Sequence, residues 1–177
     1  MKINKANSLV NKLATSAQNR MKKIIILFSF LNILTSFNIQ NSYVDPTGTY
    51  ELNNIIKQKN GEIYGYFGQI QIKKLNPEKI IMTFEVNKGA PSYNSGSFVD
   101  TLVYKENKAV YRDTEVDTTC TIIFNFNKKG INVVEKTGNY NWGCGFGHGV
   151  VADGFYKKIS NKVPILTEPL TGEKLNK

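Results

Sequence analysis

Residues 138–156, GNYNWGCGFGHGVVADGFY, concentrate the side chains that could do chemistry. The segment contains six glycines, the chain's only tryptophan (Trp142), its only histidine (His148) and one of its two cysteines (Cys144). Glycine-rich loops can bind phosphate, a histidine can act as a general base, and a cysteine thiolate can act as a nucleophile. A purely structural role for the segment is the alternative.

The spacing of these glycines matches neither of the common phosphate-binding loops. A dinucleotide-binding loop requires Gly-x-Gly-x-x-Gly between a strand and a helix. Counted from Gly143, the last position is His148, and counted from Gly145 it is Val150. The segment also lacks the Gly-Lys-Ser/Thr sequence of a P-loop. The sequence therefore excludes both phosphate-binding templates.

Glycine instead alternates with larger residues along residues 142–150. In an extended chain the glycines would form one bare face, and the larger side chains would lie on the other. We therefore predict a strand or extended loop whose bare face packs closely against the fold, a ligand or a partner. The larger face would consist of Trp142, Cys144, Phe146, His148 and Val150.

Cys120 and Cys144 could form one disulfide in an oxidising compartment, and two reduced, buried cysteines are the alternative. A disulfide would direct the faces of both segments toward the same interior, and His148 would then project inward. An inward histidine is either hydrogen-bonded structure or, beside a carboxylate such as Asp100 or Asp153, the base of a hydrolase.

Three acidic residues alternate in DTEVD, residues 113–117. A calcium-binding EF-hand loop requires glycine at its sixth position and glutamate at its twelfth. Those positions are Thr118 and Phe124, so we predict a solvated acidic loop, no metal site and no cofactor. Asp100 is unusual because it shares strand parity with Leu102, which indicates a polar interior or a bulged strand.

Short alternating runs rich in β-branched and aromatic residues extend from Gly48 to Lys158, separated by turn sequences. A helical turn or two at residues 52–58 is the one exception. The predicted strands are Gly48–Leu52, Glu62–Lys73, Lys79–Val86, Gly96–Lys105, Ala109–Asp113, Thr119–Asn127, Ile131–Thr137 and a segment that ends in Gly154–Lys158.

Each run has one apolar face and one polar face. Ile80, Met82, Phe84 and Val86, for example, lie on one side of their strand. This alternation is typical of antiparallel sheets. About eight such strands with short connections predict an all-β fold, a single antiparallel up-and-down β-barrel, with a β-sandwich as the alternative. Gly-x-Tyr sequences in the first and last strands suggest that these two strands are neighbours.

The N-terminal region resembles a secretion signal. Met21-Lys22-Lys23 precede an apolar run at residues 24–34, which is too short for a membrane span of about 20 residues. We predict an N-terminal extension and signal over residues 1–42, a β-barrel domain over 43–158 and a C-terminal tail over 159–177. The mature protein should be exported, either periplasmic or secreted, and should have no membrane association after the signal is cleaved.

The formal charge of +9 is concentrated in this leader. Six of the 23 lysines and arginines precede residue 42 and no acidic residue does, so the remaining 17 basic and 14 acidic residues give +3. The lysines of that remainder lie scattered through turns. We therefore expect no nucleic-acid partner.

Three short sequences resemble a group of small exported bacterial β-barrel proteins, mostly uncharacterised. They are CTIIFNF at residues 120–126, CGFGHGV at 144–150 and ADGFYKK at 152–158. The resemblance implies a fold and a compartment but no activity. More loosely, the chain is similar to calycin-like barrels such as lipocalins and to periplasmic lysozyme inhibitors.

The lysozyme-inhibitor families use a Ser-Gly-x-x-Tyr or Ser-Gly-x-Tyr loop that enters the lysozyme cleft. The nearest sequence here is Ser95-Gly96-Ser97-Phe98, in which phenylalanine replaces the tyrosine. This resemblance implies, as an alternative function, an inhibitor of a lysozyme-type cell-wall hydrolase that acts through Ser95, Gly96 and Phe98.

These observations favour binding over catalysis. We predict an exported, monomeric, non-enzymatic protein that engages a protein or a small apolar ligand through the barrel mouth or its loops. The residues predicted to contact a ligand or partner are His148, Asp100, Trp142, Phe146, Ser95, Gly96 and Phe98.

Overall fold

The computed structural model describes residues 42–175, and for residues 57–59 the backbone alone. The predicted leader therefore lies outside the described residues, apart from its last residue. The fold is all-β, and its strands form one antiparallel sheet, so the sandwich alternative is wrong. No helix within residues 42–175 is long and apolar enough to cross a membrane.

Eight strands follow one another in an up-and-down meander, and a short 3-10 turn at Gly143–Gly145 lies between the last two. The strands are β1 (Gly48–Lys59), β2 (Glu62–Asn76), β3 (Lys79–Lys88), β4 (Ser95–Val103), β5 (Lys108–Arg112), β6 (Thr121–Asn127), β7 (Gly130–Lys136) and β8 (Gly154–Ser160).

The sheet closes into a nearly complete barrel. Its strand order is β4-β3-β2-β1-β8-β7-β6-β5, so the first and last strands are paired, as the sequence predicted. β4 and β5, at the two ends of this order, form no ladder and are joined by a single isolated bridge between Lys105 and Lys108. The number of strands predicted a completely closed barrel, but β4 and β5 do not pair. We call this unpaired boundary the β4–β5 seam.

The first hairpin is longer than the sequence predicted. β1 continues to Lys59 and pairs with β2 as far as Glu62, so the helical turn expected at residues 52–58 is wrong. The turn residues Asn60 and Gly61 both have positive φ (53° and 83°), the conformation of a tight type I′ hairpin turn. This turn extends the ladder through a segment whose own sequence shows weak alternation.

The interior of the barrel is packed with side chains from every strand. Inward-facing residues such as Ile80, Met82 and Val86 are fully buried, which confirms the predicted parity of β3. Phe84 lies at the centre of this core. Its ring centroid is 5.1 to 6.0 Å from the rings of Phe98, Phe124, Phe146 and Tyr156.

The long connections all lie at one end of the barrel. Because successive strands run in opposite directions, residues 89–94, 113–120 and 137–153 share an end with the β1–β2 turn. We call this end the loop end. The opposite end has shorter connections, such as residues 77–78 and 128–129.

The region predicted as a C-terminal tail begins inside β8, which continues to Ser160. Residues 161–175 are irregular apart from one isolated bridge between Thr167 and Lys174. Leu166 is nevertheless buried, so part of this segment packs against the domain.

Candidate functional site

The glycine-rich segment is a folded loop, so the predicted strand at residues 142–150 is wrong. Cys144 has a positive φ of 57°, and the N–H of Phe146 donates to the carbonyl of Gly143 to close a 3-10 turn. Two contacts from elsewhere in the chain fix this turn. They are the disulfide of Cys144 and a hydrogen bond from its N–H to Asp117.

The predicted disulfide is confirmed. Cys120 and Cys144 are joined with an S–S distance of 2.02 Å and a Cα–Cα distance of 5.0 Å. The bond connects the long 137–153 loop to the residue that precedes β6. No described cysteine is free.

The acidic residue Asp117 organises the loops around the disulfide. Its carboxylate accepts hydrogen bonds from the hydroxyls of Thr119 and Thr137 and from the N–H groups of Thr119 and Cys144. These hydrogen bonds, chiefly those from the two threonine hydroxyls, lower the pKa of Asp117 to about 2. A charged Asp117 therefore connects the 113–120 loop to the 137–153 loop at neutral pH.

Asp113 is buried, so the prediction of a solvated acidic loop is wrong at this residue. Burial alone would raise the pKa of its carboxyl, but hydrogen bonds from the N–H groups of Glu115, Val116 and Asp117 outweigh burial, and the pKa is lowered. Asp113 thus holds the 113–120 loop in place. Within the described residues, no group of three or more His, Cys, Asp or Glu could bind a metal ion.

Phe146 and Gly96, two of the predicted contact residues, belong to the core. Phe146 is buried and stacks on Phe84 with a centroid distance of 6.0 Å. A Cβ at Gly96 would lie 2.3 Å from the Phe146 ring, so glycine is required for this packing. Neither residue is available to a ligand.

The Ser95–Phe98 sequence is the first half of β4, not a protruding loop. Ser95 is exposed, but Gly96 is covered by Phe146, and Phe98 stacks on Tyr111 with a centroid distance of 3.9 Å. These residues therefore cannot enter an enzyme's cleft together, and the geometry gives no support to the inhibitor hypothesis.

His148 and Trp142 both lie on the surface, so the predicted inward projection of His148 is wrong. Their ring centroids are 5.2 Å apart, and the side-chain amide of Asn94 donates to the carbonyl of His148 at 2.9 Å. Within the described residues, no hydrogen bond or ion pair joins His148 to Asp100 or Asp153. The pair required by the hydrolase hypothesis is therefore not assembled.

Asp100 lies in the middle of β4, whose register with β3 is regular, so the bulge considered for this strand does not form. Its side chain lines the groove at the β4–β5 seam. One carboxylate oxygen accepts a hydrogen bond from the N–H of Thr101 at 2.6 Å. Asp100 can occupy the same face of the strand as the apolar Leu102, because it lies beside the opening in the sheet.

Exposed aromatic residues of two different loops lie at the loop end. Trp142 is 61% exposed and Tyr93 is 55% exposed. Tyr93 precedes Asn94, whose side-chain amide donates to the carbonyl of His148. Partial desolvation and the nearby Glu62 carboxylate raise the pKa of the Tyr93 phenol. Glu62 in turn accepts a hydrogen bond from Tyr64 at 3.0 Å. We call Tyr64, Tyr93, Trp142 and His148 the aromatic rim.

The sequence did not identify Tyr93 or Tyr64 as residues of the loop end, where Tyr93 is exposed and Tyr64 is half-buried. Tyr64 shares parity with buried residues of β2, but it lies in the part of the β1–β2 hairpin that extends beyond β3. Tyr93 lies in PSYN, residues 91–94, and has a positive φ of 51°. The sequence did offer one signal for Tyr93, because it is a large aromatic residue within a turn sequence.

Glu135 is a buried acidic residue that the sequence analysis also missed. Only 3% of its surface is exposed. One carboxylate oxygen accepts a hydrogen bond from the N–H of Ala152 at 2.7 Å, and the other has no partner among the described residues. Burial, followed by the charges of Asp153 and Asp117, raises the pKa of Glu135.

We expect Glu135→Gln to stabilise the fold increasingly as the pH rises. Because folding raises the pKa of Glu135 above its unfolded value of about 4.3, the folded state binds more protons there. This residue's contribution to stability therefore falls as the pH rises through the folded-state pKa. Glutamine does not ionise, so denaturant unfolding at pH 4 and pH 8 should show a larger advantage for the variant at pH 8.

The exposed residue Glu51 provides the matched control for this experiment. Glu51→Gln makes the same charge change without burial and should not reproduce the pH-dependent gain. An equal effect of Glu135→Gln at both pH values would contradict the proposed cost of ionising Glu135.

No protein-family model matches the chain, and no curated protein sequence or solved structure matches it either. The resemblance to small exported bacterial barrels therefore stays a prediction.

Proposed function

We propose that this chain is an exported, non-enzymatic binding protein that engages another protein through the aromatic rim. The observation that supports this function best is the exposure of Trp142 and Tyr93 on two different loops at one end of the barrel. Tryptophan and tyrosine are enriched in protein–protein interfaces and in their energetically dominant positions.

The loops that present the rim are held in place before a partner arrives. The disulfide and Asp117 fix the base of the 137–153 loop. The hydroxyl of Tyr66 donates to the carbonyl of Gly149 at 2.7 Å, and the N–H of Gly147 donates to the carbonyl of Ser95 at 2.9 Å. Loops ordered in this way lose little conformational entropy on binding, which favours affinity.

A protein partner fits the barrel better than a small apolar ligand in the lumen. The interior at the level of Phe84 is occupied by stacked and edge-on rings. A ligand there would have to displace buried aromatic side chains at a cost of several kcal/mol. The outer surface of the loop end requires no such rearrangement.

Two observations support export to a periplasmic or secreted location. A disulfide joins Cys120 to Cys144, and disulfides persist mainly in oxidising compartments. The second observation is the sequence of residues 21–34, in which lysines precede a short apolar run, as in a secretion signal.

We expect Trp142→Ala to weaken partner binding by roughly 2 kcal/mol, about 30-fold in Kd, because interface tryptophans commonly contribute that much. Tyr93→Ala should weaken binding in the same direction. The measurement is quantitative retention of proteins from the host's exported fraction on the immobilised full chain, followed by titration of the retained partner. Variants and wild type are compared at equal density.

Tyr43 supplies a matched control, because it is also 55% exposed but precedes β1 at the opposite end of the barrel. Tyr43→Ala should leave the affinity unchanged. Equal losses of affinity for Tyr43→Ala and Tyr93→Ala would contradict an interface at the aromatic rim. Partner retention that is unchanged by both Trp142→Ala and Tyr93→Ala would contradict it too.

A further inference from the structure

The β4–β5 seam is a groove along two strand edges. Its volume is about 620 Å³, and its lining includes Asp100, Leu102, Val103, Lys108, Val110 and Arg112. At the short-connection end, the Lys105–Lys108 bridge joins the two strands. Beyond it the two strands do not pair, so the edge of β4 has no neighbouring strand within residues 42–175.

Hydrogen-bond parity shows which backbone groups of β4 face the seam. The carbonyl of Ser95 accepts a bond from Gly147 across the loop end, and Lys105 bonds Lys108 of the other edge. The N–H of Tyr104 instead donates to Glu78, on the β3 side. Odd-numbered residues therefore direct their N–H and C=O groups into the seam, because these directions alternate along a strand.

Most of these seam-facing backbone groups are free to bond a partner. Ser97, Val99 and Val103 make no hydrogen bond into the seam with any residue in the described part of the chain. The N–H of Thr101 is an exception, because Asp100 accepts its hydrogen bond. The edge thus offers a row of donors and acceptors in strand geometry.

The outer face of β4 lacks the usual protection of an edge strand. Natural edges are commonly blocked by outward lysines, prolines or bulges. The outward residues of β4 are Ser97, Val99, Thr101 and Val103, which are uncharged, and the ladder with β3 is regular. Val103 is 63% exposed. The inward-parity charge of Asp100 is the one protective feature of β4, and it leaves the edge open to a strand that carries a complementary charge.

The interior of the barrel is closed behind this edge. Phe98 of β4 and Tyr111 of β5 stack across the seam with a centroid distance of 3.9 Å. Phe98 also stacks on Phe84 in the core at 5.1 Å. A strand could therefore add along the edge of β4 without opening the core.

Charge indicates what such a strand should contain. Asp100 lines the seam and makes no ion pair within residues 42–175, and Arg112 on the opposite wall makes none either. A neighbouring pocket that shares Asp100 and Arg112 with the seam is also lined by Asp113 and Glu115, so the surface on this side of Asp100 is acidic. The basic residues Lys105 and Lys108, with Glu106, line the seam at the short-connection end. A basic side chain next to Asp100 would be complementary to this part of the seam.

A second copy of the chain fits this edge poorly. β4 has no lysine or arginine that could pair with Asp100 of a second copy, and antiparallel pairing of two β4 strands about Val99 would place the two Asp100 side chains at diagonal positions on one face. Like charges at neighbouring cross-strand positions are destabilising. A partner strand that contains a basic residue has no such conflict.

We propose that the free edge of β4 binds an extended segment of a partner protein as an added antiparallel strand, with a lysine or arginine of that segment beside Asp100. This site is separate from the aromatic rim and does not require the rim to bind anything. Backbone hydrogen bonds would supply most of the affinity, and Asp100 would supply the preference for a basic segment.

The test uses the full chain and two synthetic peptides of nine residues, the length of β4. Both peptides alternate threonine and valine, one with lysine and the other with glutamate at position 4, the position that lies opposite Asp100 when the central residue pairs with Val99. The affinities are measured by titration, and the site is mapped by amide chemical shifts. We expect the lysine peptide to bind at least tenfold more tightly, with the largest shifts along β4.

Two substitutions and one control variant separate the contribution of edge pairing from that of charge. Val99→Pro removes a seam-facing N–H while leaving the β3 ladder intact, and it should abolish binding of the lysine peptide. Val99→Thr keeps the N–H and should bind normally. Asp100→Asn keeps the acceptor for Thr101, so the fold is retained, and it should equalise the affinities of the two peptides.

Three results would overturn the proposal. The first is binding of the lysine peptide that survives Val99→Pro in a folded variant, and the second is a lysine preference that survives Asp100→Asn. The third is self-association of the chain that Val99→Pro removes, because the edge would then belong to a second copy. A Trp142→Ala variant that still binds the peptide would show that the seam is independent of the rim.

Discussion

Phe84→Ala should lower the free energy of unfolding by about 3–5 kcal/mol, the usual cost of deleting a buried phenylalanine ring. Phe84 has no exposed surface, and its ring contacts aromatic rings from β4, β6, β8 and the 137–153 loop. These neighbours belong to different parts of the barrel wall, so the cavity cannot collapse by movement of a single segment. The measurement is two-state denaturant unfolding.

Phe155 on β8 is the matched control, because its side chain is partly exposed on the outer face. Phe155→Ala should cost under about 1 kcal/mol, as is usual for surface substitutions. A loss below about 1 kcal/mol for Phe84→Ala would contradict the packed interior. It would also reopen the hypothesis of a ligand in the barrel.

Removal of the disulfide should have the second largest effect on stability. The cysteines are 24 residues apart, and closing a loop of that length stabilises a fold by about 3 kcal/mol in the chain-entropy model. We therefore expect the Cys120→Ser, Cys144→Ser double variant to lose about that much unfolding free energy. Reducing agent should likewise lower the Tm of the wild type.

The same variant should also bind its partner less tightly than the wild type. Cys144 and Asp117 fix the base of the loop that presents Trp142 and His148, so loss of the disulfide leaves that loop to be ordered on binding. Single Cys→Ser variants should match the double variant in stability. An unchanged Tm in reducing agent would contradict a structural role for the bond.

The strands and the disulfide could be predicted because their signals are local. In β3 and β6, alternation of apolar and polar residues alone identifies the buried face, and Phe124 and Ile122 are buried as expected. The cysteine pair followed from the number of cysteines and the apparent compartment. The eight-stranded antiparallel barrel then follows from strand number and short connections.

The glycine-rich segment was predicted wrongly because alternating glycines imitate a strand. Distant contacts decide its conformation instead, since Asp117 accepts the N–H of Cys144 and Cys120 binds its sulfur. With Cys144 at a positive φ, parity no longer relates it to His148. His148 therefore lies on the surface, although Phe146 and Val150 are buried as alternation predicted.

The aromatic rim and the seam could not be predicted from the sequence, because each forms where separate elements of the fold come together. Tyr93 and Trp142 lie almost 50 residues apart and come to one end through the up-and-down connections. β4 and β5 follow each other in the chain but do not pair, and no pattern within either strand reveals whether the two will pair. Asp100 was the one local signal, because an acidic residue with inward parity needs an opening beside it.

Trp142 offers the most direct test of binding through the aromatic rim, because it is the chain's only tryptophan. Labelling the full chain with 5-fluorotryptophan gives a single ¹⁹F resonance at the proposed interface. Addition of the unlabelled partner retained from the exported fraction should shift this resonance and reduce its response to a soluble paramagnetic quencher. An unchanged resonance and unchanged quenching at saturating partner would contradict a binding site at the loop end.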